Sequence, residues 1–560
     1  MHDRFTQRRS GKANLGRAAL VAALLTSVAS GTVAAPRRTD SRDARIQQLE
    51  AEVQQLLADH RQQEARDQAL SAQAEQLAAE VQALKQAQAS EIKTIQTVSD
   101  KVSPPPSVIT TMATGRPVFT SANGRFSATV HTVMQLDTGA YFQPSPGPLA
   151  TDLRRSGPAL GSSATNVDLT HARELKDGTD FRRARLGVDG TAFGDWDYRL
   201  LLDFGGTGVE NTGQVYETWV QYSGLRPLRL RVGAFSPSIG LDDQASTNGM
   251  PFMERSAVED IARGQSAGDT RINAEAFATG DHWLAAGAIS GRTIGVVSTG
   301  TATPVAQTYG DQLALVGRIA GTPLYGPDWL IHLGVHGSYM VRPPNTGGPA
   351  TSGATPVTAQ VVALGATQEL RVDGTKLINT GNIDARHAST AGVEFAAQKA
   401  GLLLQAEYED FEVQRADPGL SSPRFQGYYV SGTWVLTGEA RRYNTQTAAF
   451  DAPSVDHPFS WADGAPGAWE IGLRYSDMNL NYHAGAPHTA PGPDAIRGGE
   501  ETNLDAALNW YPNPLVRFML DYSHVRILRL SPNAALYQTP VGAQIGQTYN
   551  TVSVRSQFAF

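Results

Sequence analysis

The sequence predicts a mostly β protein: a transmembrane antiparallel β-barrel preceded by an N-terminal α-helical coiled coil. Three observations carry that prediction. A heptad register runs unbroken through residues 46–98. Downstream, period-2 alternations of about 9–13 residues recur, near the length of a tilted transmembrane strand. The chain ends TVSVRSQFAF, in which Val552, Val554, Phe558 and Phe560 share one parity and Thr551, Ser553, Arg555 and Gln557 the other. A C-terminal strand with one apolar face must be paired and must lie against something apolar.

The first element is an export signal. Arg4, Arg8, Arg9, Lys12 and Arg17 form a basic region ahead of the apolar run AALVAALLTSVAS, and small residues follow. Residues 1–35 therefore read as a signal peptide. The apolar run is shorter than the roughly 20 residues a membrane anchor needs. No other stretch is long enough for a transmembrane helix, so membrane insertion must use strands, because only helices and closed barrels satisfy the backbone in lipid.

Residues 46–100 come next. With Ile46 at a and Leu49 at d, the seam continues Val53, Leu56, His60, Gln63, Asp67, Leu70, Ala74, Leu77, Val81, Leu84, Gln88, Glu91, Ile95 and Val98. Apolar positions at both ends, in a Gln/Glu/Ala-rich helix, read as a periplasmic coiled coil, with the polar centre fixing register. Such a helix implies association of chains. Ser103-Pro104-Pro105-Pro106 stops it, and residues 101–120 read as a stiff linker.

From residue 121 to 560 the pattern is strand and turn. Ala184, Leu186 and Val188 alternate with Arg183, Arg185 and Asp189, and Trp196, Tyr198, Leu200 and Leu202 oppose Asp197, Arg199 and Asp203. Leu228, Leu230 and Val232 oppose Arg229 and Arg231, Trp469, Ile471 and Leu473 oppose Glu470 and Arg474, and Val516, Phe518 and Leu520 oppose Arg517 and Asp521. A soluble sandwich uses strands of about 5–6 residues; these runs are longer. Tyr141, Trp196, Tyr222, Trp469, Trp510 and Tyr511 stand at segment ends, as interfacial girdles require. The charged face then points inward, into water, and the terminal strand closes the barrel.

Composition agrees with this class and excludes others. The 560 residues are 41% apolar and 18% charged, with 55 glycines and 31 prolines, so the chain is turn-rich and charge-poor. A net charge of −7 argues against nucleic acid. The absence of cysteine excludes thiol catalysis and disulfides. There is no H-E-x-x-H, no G-x-S-x-G and no phosphate-binding glycine loop, so no enzyme activity, catalytic residue or cofactor is expected. His332 and His336 share a strand face, but two histidines alone do not make a metal site, and none is expected.

From about Phe181 to the end, the stretches FRRARLGVDGTAFGDWDYRLLLDFGG, LRLRVGAFSPSIGLDDQASTNGMPFMERS, GYYVSGTWVLTGEARRYN, GAWEIGLRYSDMNLN and GGEETNLDAALNWYPNPLVRFMLDYSHV follow one another in the order of a known family. Through them the chain resembles the phosphate-selective porins O and P. The resemblance implies a barrel of about sixteen strands, a homotrimer, and passive diffusion of small anions such as phosphate or polyphosphate. It places the barrel among lipids of the outer membrane of a Gram-negative bacterium, with the N-terminal segment in the periplasm. It also implies that Phe560 is read by the barrel assembly machinery. The family's phosphate selectivity is associated with lysine clusters, whereas beyond the linker only Lys176, Lys376 and Lys399 occur, none in a matched motif.

By parity Arg183, Arg185, Arg199, Arg229, Arg231, Arg318, Arg474, Arg517 and Arg555 point away from the apolar faces and form the candidate anion-binding pore lining. Arginine stays charged, and its fork of donors matches phosphate and carboxylate oxygens. The segment from Ser236 to Gly264 is long enough to fold inward, which makes Arg255 and Arg263 constriction candidates beside Glu254. The alternatives are a general small-solute porin, or a structural barrel tethering the outer membrane to the cell wall through the coiled coil. The heptads yield a direct test. Residues 46–98, made as a peptide, should be helical and associated in sedimentation equilibrium; a monomeric, unfolded peptide at high concentration would refute the coiled-coil reading.

Overall fold

The computed structural model describes residues 42–102, 108–112, 115–143, 175–206, 213–266, 271–294, 312–344, 360–532 and 541–560. The signal-peptide expectation falls on residues 1–35, outside the described residues. The chain divides into two compact units, Met1–Pro105 and Pro106–Phe560.

In the first unit the heptad segment forms one continuous helix, α1 (Arg42–Val102, 61 residues), about 90 Å long at 1.5 Å per residue. Ile46, Leu49, Val53, Leu70, Leu77, Val81 and Leu84 of the seam are all exposed. Among the described residues of the single chain, nothing covers these positions. No described helix is long and apolar enough to cross a membrane.

The second unit is a closed antiparallel barrel of 16 strands. The first quarter comprises β1 (Ser127–Phe142), β2 (Gly178–Ala192), β3 (Trp196–Asp203) and β4 (Gln214–Leu225). It continues with β5 (Leu228–Ala234), β6 (Arg271–Thr279), β7 (Trp283–Thr293) and β8 (Leu313–Tyr325). Then come β9 (Trp329–Arg342), β10 (Ile383–Lys399), β11 (Leu402–Arg415) and β12 (Arg424–Val435). The ring ends with β13 (Ala468–Tyr482), β14 (Ile496–Asn513), β15 (Val516–Leu528) and β16 (Thr548–Ala559). Each strand pairs with its sequence neighbour, and β16 returns to β1 from Asn550↔Phe142 to Ala559↔Val133. Two bonds complete the seam: Phe560 and Thr132 exchange N–H···O contacts, both 3.0 Å. Within the stretch read as a linker, Val108–Thr111 and Val118–Ser121 form a short hairpin that extends β1 beyond the reach of β16.

The alternation read in the sequence becomes an inside and an outside. Leu186, Leu315, Ile319, Val335, Val393, Leu473, Leu504, Leu520 and Val554 are exposed on the outer wall. Their neighbours Arg185, Arg318, His336, Glu394, Arg474, Asn503, Asp521 and Arg555 are buried within. Strands meet at one end in turns of a few residues, as at 193–195, 280–282 and 326–328, except for the long connection 436–467, and in longer loops at the other. Outward aromatics mark the short-turn end: Trp196 packs 4.9 Å from Tyr222, and Trp469 stacks 5.5 Å from Trp510. Two residues assigned to the girdle do not belong to it. Tyr141 and Tyr511 face inward, the first donating to Leu370 O, the second to Glu470 Oε2 at 2.9 Å. Strand-end position suggested the girdle; parity decides the face.

The interior is partly filled. Residues 235–266, between β5 and β6, fold inward and carry α2 (Leu241–Gln244) and α3 (Ala257–Ser266). Residues 360–382, with the bridge pair Gly365–Ala366 and Ile378–Asn379, enter from the long-loop end. A hairpin, Arg441–Asn444 with Ala449–Pro453, enters from the short-turn end. The largest buried apolar cluster joins Val258, Ile261 and Ala262 of α3 to Leu370, Leu377 and Ile378 and to Phe411, Val413, Phe425 and Tyr429 of the wall. No residue of that cluster lies on β2–β7.

Closure makes a prediction. Deleting Ala559 and Phe560 removes the last bonds between β16 and β1 and leaves an open edge at the short-turn end. The deletion should sharply reduce the folded, heat-modifiable form on semi-native gels. Wild-type levels of folded barrel would contradict the closure argument.

Candidate functional site

The arginines singled out in the sequence all project inward, but the structure sorts them into two groups. The first holds the inward segment in place. Arg555 makes a bidentate pair with Asp137, both bonds 2.6 Å, and reaches Glu254 Oε1 at 2.7 Å and Met253 O at 2.5 Å. Arg474 donates to Asp505 at 3.0 Å, to Glu254 O at 2.9 Å, and to Glu369. Arg517 donates to Met250 O at 2.5 Å, Asn248 O at 3.3 Å and Asn509 Oδ1 at 2.9 Å. Arg183 bonds Gln135 at 2.6 Å and lies 3.6 Å from Glu254. Arg185 pairs with Asp203 at 2.7 Å beneath the ring of Tyr216. Arg318, fully buried, forks onto Glu394 at 2.9 and 2.7 Å and caps Thr447 O and Ala448 O of the short-turn hairpin.

Glu254 is the hub of this group. Its carboxylate receives Arg182 at 2.7 and 3.0 Å, Arg555 at 2.7 Å, Arg371 at 3.5 Å and Arg183 at 3.6 Å. Burial alone would raise its pKa, but the surrounding guanidiniums hold it well below the ordinary carboxylate range. The next residue, Arg255, expected at a constriction, is buried. It turns back on its own segment, bonding Asp242 O, Asp243 O and Ala245 O at 3.1–3.3 Å and lying 3.4 Å from the Asp242 carboxylate. Arg263 of α3 pairs with Asp243 at 2.6 Å.

The second group remains more open. Arg199, Arg229 and Arg231 stand on β3 and β5, outside the largest buried apolar cluster. Arg199 is about a third exposed at its side chain and lies 3.1 Å from Glu217. Arg231 bonds Gln221 at 3.0 and 2.9 Å, lies 3.8 Å from Glu275, and has the rings of Trp219, Phe235 and Phe277 within 5.1 Å. Arg229 bonds Thr279 at 3.2 Å and also Gln446 of the short-turn hairpin.

Sequence parity missed several interior arginines. Arg182 is inward beside Arg183 because the β1–β2 ladder shifts register between Gln135 and Leu136. The doubled arginine was itself a signal: one of two adjacent charges on a regular strand faces lipid, at a cost of about 2–4 kcal/mol near the midplane, so a bulge that turns both inward is favoured. At the long-loop end Arg415, Arg497 and Arg529 line a cavity of about 370 Å³ with Asp384 and Asp417. Their guanidiniums donate there to backbone carbonyls: Asp494 O for Arg415; Ala484 O, Thr489 O and Ser531 O for Arg497; Leu377 O, Asn379 O and Arg497 O for Arg529, all at 2.8–3.0 Å.

A closed barrel with lipid-facing apolar residues, aromatic ends and a charged interior narrowed by an inward segment defines a membrane channel protein. The family model for the phosphate-selective porins O and P matches residues 159–560, and the chain belongs to that family, which makes it an outer-membrane porin. Porin O of Pseudomonas aeruginosa PAO1 is 25% identical over 371 residues, covering 64% of this chain and 78% of that protein. Among solved structures, the DcaP outer-membrane channel of Acinetobacter baumannii (TM-score 0.41, 11% identity) overlaps 79% of this chain and 99% of its own. An anion-selective porin from Comamonas acidovorans (0.41, 11%) overlaps 78% and 100%.

Removing the charge of Glu254 should loosen the inward segment. Breaking a buried ion pair costs about 3–5 kcal/mol, so Glu254→Gln should lower the temperature of heat modification and add open-channel noise. Because the folded pKa lies below the ordinary 4.5, this contribution is full above about 4.5 and is lost as pH falls through the lower folded value. The stability gap between wild type and Glu254→Gln should therefore be constant from neutral pH down to about 5, with the variant already weakened at pH 7. Equal stabilities at pH 7 would refute the hub role.

Proposed function

We propose that the barrel passes small anions by diffusion along the side of the lumen bounded by β2–β7, with Arg199, Arg229 and Arg231 supplying the field. The observation that carries this reading is the contrast in coverage. Arg183, Arg185, Arg318, Arg474 and Arg517 are buried against carboxylates or the inward segment and shape the passage, whereas these three are only partly buried, the side chains of Arg199 and Arg231 being 32% and 23% exposed, on strands outside the largest apolar cluster. At the opposite mouth, Arg415, Arg497 and Arg529, held by carbonyls, favour anion entry. Phosphate rests as a candidate solute on the description of the family as phosphate-selective porins. The absence of lysine from this lining favours a broader range of small anions, phosphate included.

Assembly follows from exposed surfaces. The bare heptad seam of α1 fits a bundle of like helices, supporting a homotrimer whose stalk lies in the periplasm and reaches toward the cell wall. Phe560, at the end of the closing strand, is where the barrel assembly machinery would engage.

Reversal potentials in a potassium chloride gradient should show anion preference, and phosphate should compete with chloride. Arg229→Ala with Arg231→Ala should weaken the preference several-fold without preventing assembly. The effect should be largest at 0.01 M salt, where the Debye length is about 30 Å, and fade near 1 M, where it is about 3 Å. Cation preference at low salt would show that the carboxylates of the wall win. Anion preference without phosphate competition would retain the porin and remove phosphate as a preferred solute.

A further inference from the structure

Glu259 of α3 meets Glu407 and Glu409, which share the inner face of β11, in the interior of the barrel. One carboxylate oxygen from each lies within 4.8 Å of the others. The three residues are 1%, 2% and 0% exposed. Glu259 Oε1 and Glu409 Oε2 are buried and have no hydrogen-bond partner among the described residues. Gly240 leaves the space beside them open: at φ 66°, a Cβ there would sit 3.2 Å from Glu407 Oε1 and 3.5 Å from Glu259 Oε2.

The neighbouring charges are already matched. Glu394 is paired with Arg318 at 2.7 Å, Asp243 with Arg263 at 2.6 Å, and Asp242 lies 3.4 Å from Arg255. Among the described residues, the cation-capable group on the trio is His336, whose Nε2 is 2.5 Å from Glu409 Oε1 and whose Nδ1 is 2.8 Å from Glu394 Oε1. A carboxylate faces each ring nitrogen of His336. Three buried carboxylates crowd their oxygens beside that single ring in a dry interior, a costly arrangement unless a cation or protons compensate it.

We propose that Glu259, Glu407 and Glu409 bind one calcium ion that clamps α3, and with it the inward segment, to the wall at β11. The donors are all hard oxygens, which select calcium or magnesium over softer metals. Oxygens up to 4.8 Å apart suit the 2.3–2.6 Å bonds of calcium, whereas magnesium requires about 2.0–2.1 Å and retains waters. Glu407 keeps the backbone N–H groups of Leu241 and Asp242, at 2.5 and 2.9 Å, and the Tyr429 hydroxyl, at 2.7 Å, on its remaining lone pairs. The reading of the sequence expected no metal and considered only His332 and His336, because α3 and β11 meet only in the folded barrel.

The test uses the full-length protein folded in detergent and stripped with chelator. Isothermal titration with calcium chloride should give one site per chain. Terbium should show emission sensitised by Tyr429, reversed by calcium. Glu259→Gln and Glu409→Gln, each verified as folded by heat modification, should bind at least tenfold more weakly, while Asp463→Asn in an exposed turn should bind as wild type. In bilayers, chelator should increase the current noise of the wild-type channel and calcium should restore it. The proposal is overturned if the stripped wild-type protein takes up neither ion, the trio then holding protons alone, or if the glutamine variants bind as tightly as wild type. Binding is read independently of conductance, so failure here leaves the porin reading intact, and a non-conducting barrel would leave the site testable.

Discussion

The interior of this barrel is organised around the Glu254 carboxylate. Arg182 and Arg183 of β2, Arg555 of β16 and Arg371 of the long-loop insert converge on it, and Arg474 and Arg555 also take the backbone carbonyls at Glu254 and Met253. A wall lined with this many guanidiniums would repel itself across a low-dielectric interior. One buried carboxylate carried in on a loop relieves that repulsion and fixes the loop in the same step. The shape of the lumen follows from where that anchor lands.

From the anchor outward, the interior separates into a packed side and an open side. The apolar face of α3 falls on Phe411, Phe425 and Tyr429, and Leu370 closes over Tyr141, so residues from β8 through β16 and β1 become a core in the usual sense. Beneath it the short-turn hairpin meets the inward segment: Phe450 and Ala449 pack on Leu241, and Arg441 bridges Glu470 and Gly249 O. The proposed passage runs along the wall of β2–β7, where Arg199, Arg229 and Arg231 are only partly buried. On the proposed reading, the arginines of the packed side act on solutes indirectly, by setting the geometry of the passage, and those of the open side act directly, by their field.

The same packing explains why carboxylates are so frequent inside a channel read as favouring anions. Asp137, Asp203, Glu394, Glu470 and Asp505 each sit on a named arginine at 3.0 Å or less, so they neutralise charge that is already structural. Net charge over the whole chain says little about the field in the passage. The charge that matters is what remains after these pairs are removed.

The sequence by itself determined the barrel, its inner and outer faces, the helical segment ahead of it and the family. Alternation with period 2 is a local property: Arg185 beside Leu186 and Arg474 beside Leu473 are assigned to opposite faces by the pleat, whatever surrounds them. The length of residues 236–264 and their position between strands made them a candidate inward segment, with an ordinary surface loop as the other reading, and the fold decided between the two. Only the tertiary structure decided which inward arginines are spent and which stay open, because Asp137 meets Arg555 across 418 residues and Glu254 meets Arg182 across 72. It also decided the exception to parity at Arg182, the closing of β16 onto β1, and the meeting of Glu259 with Glu407 and Glu409. Each depends on a bulge, a ring closure or a loop docking against a distant strand, and pairings between distant segments leave no trace in the spacing of neighbouring residues.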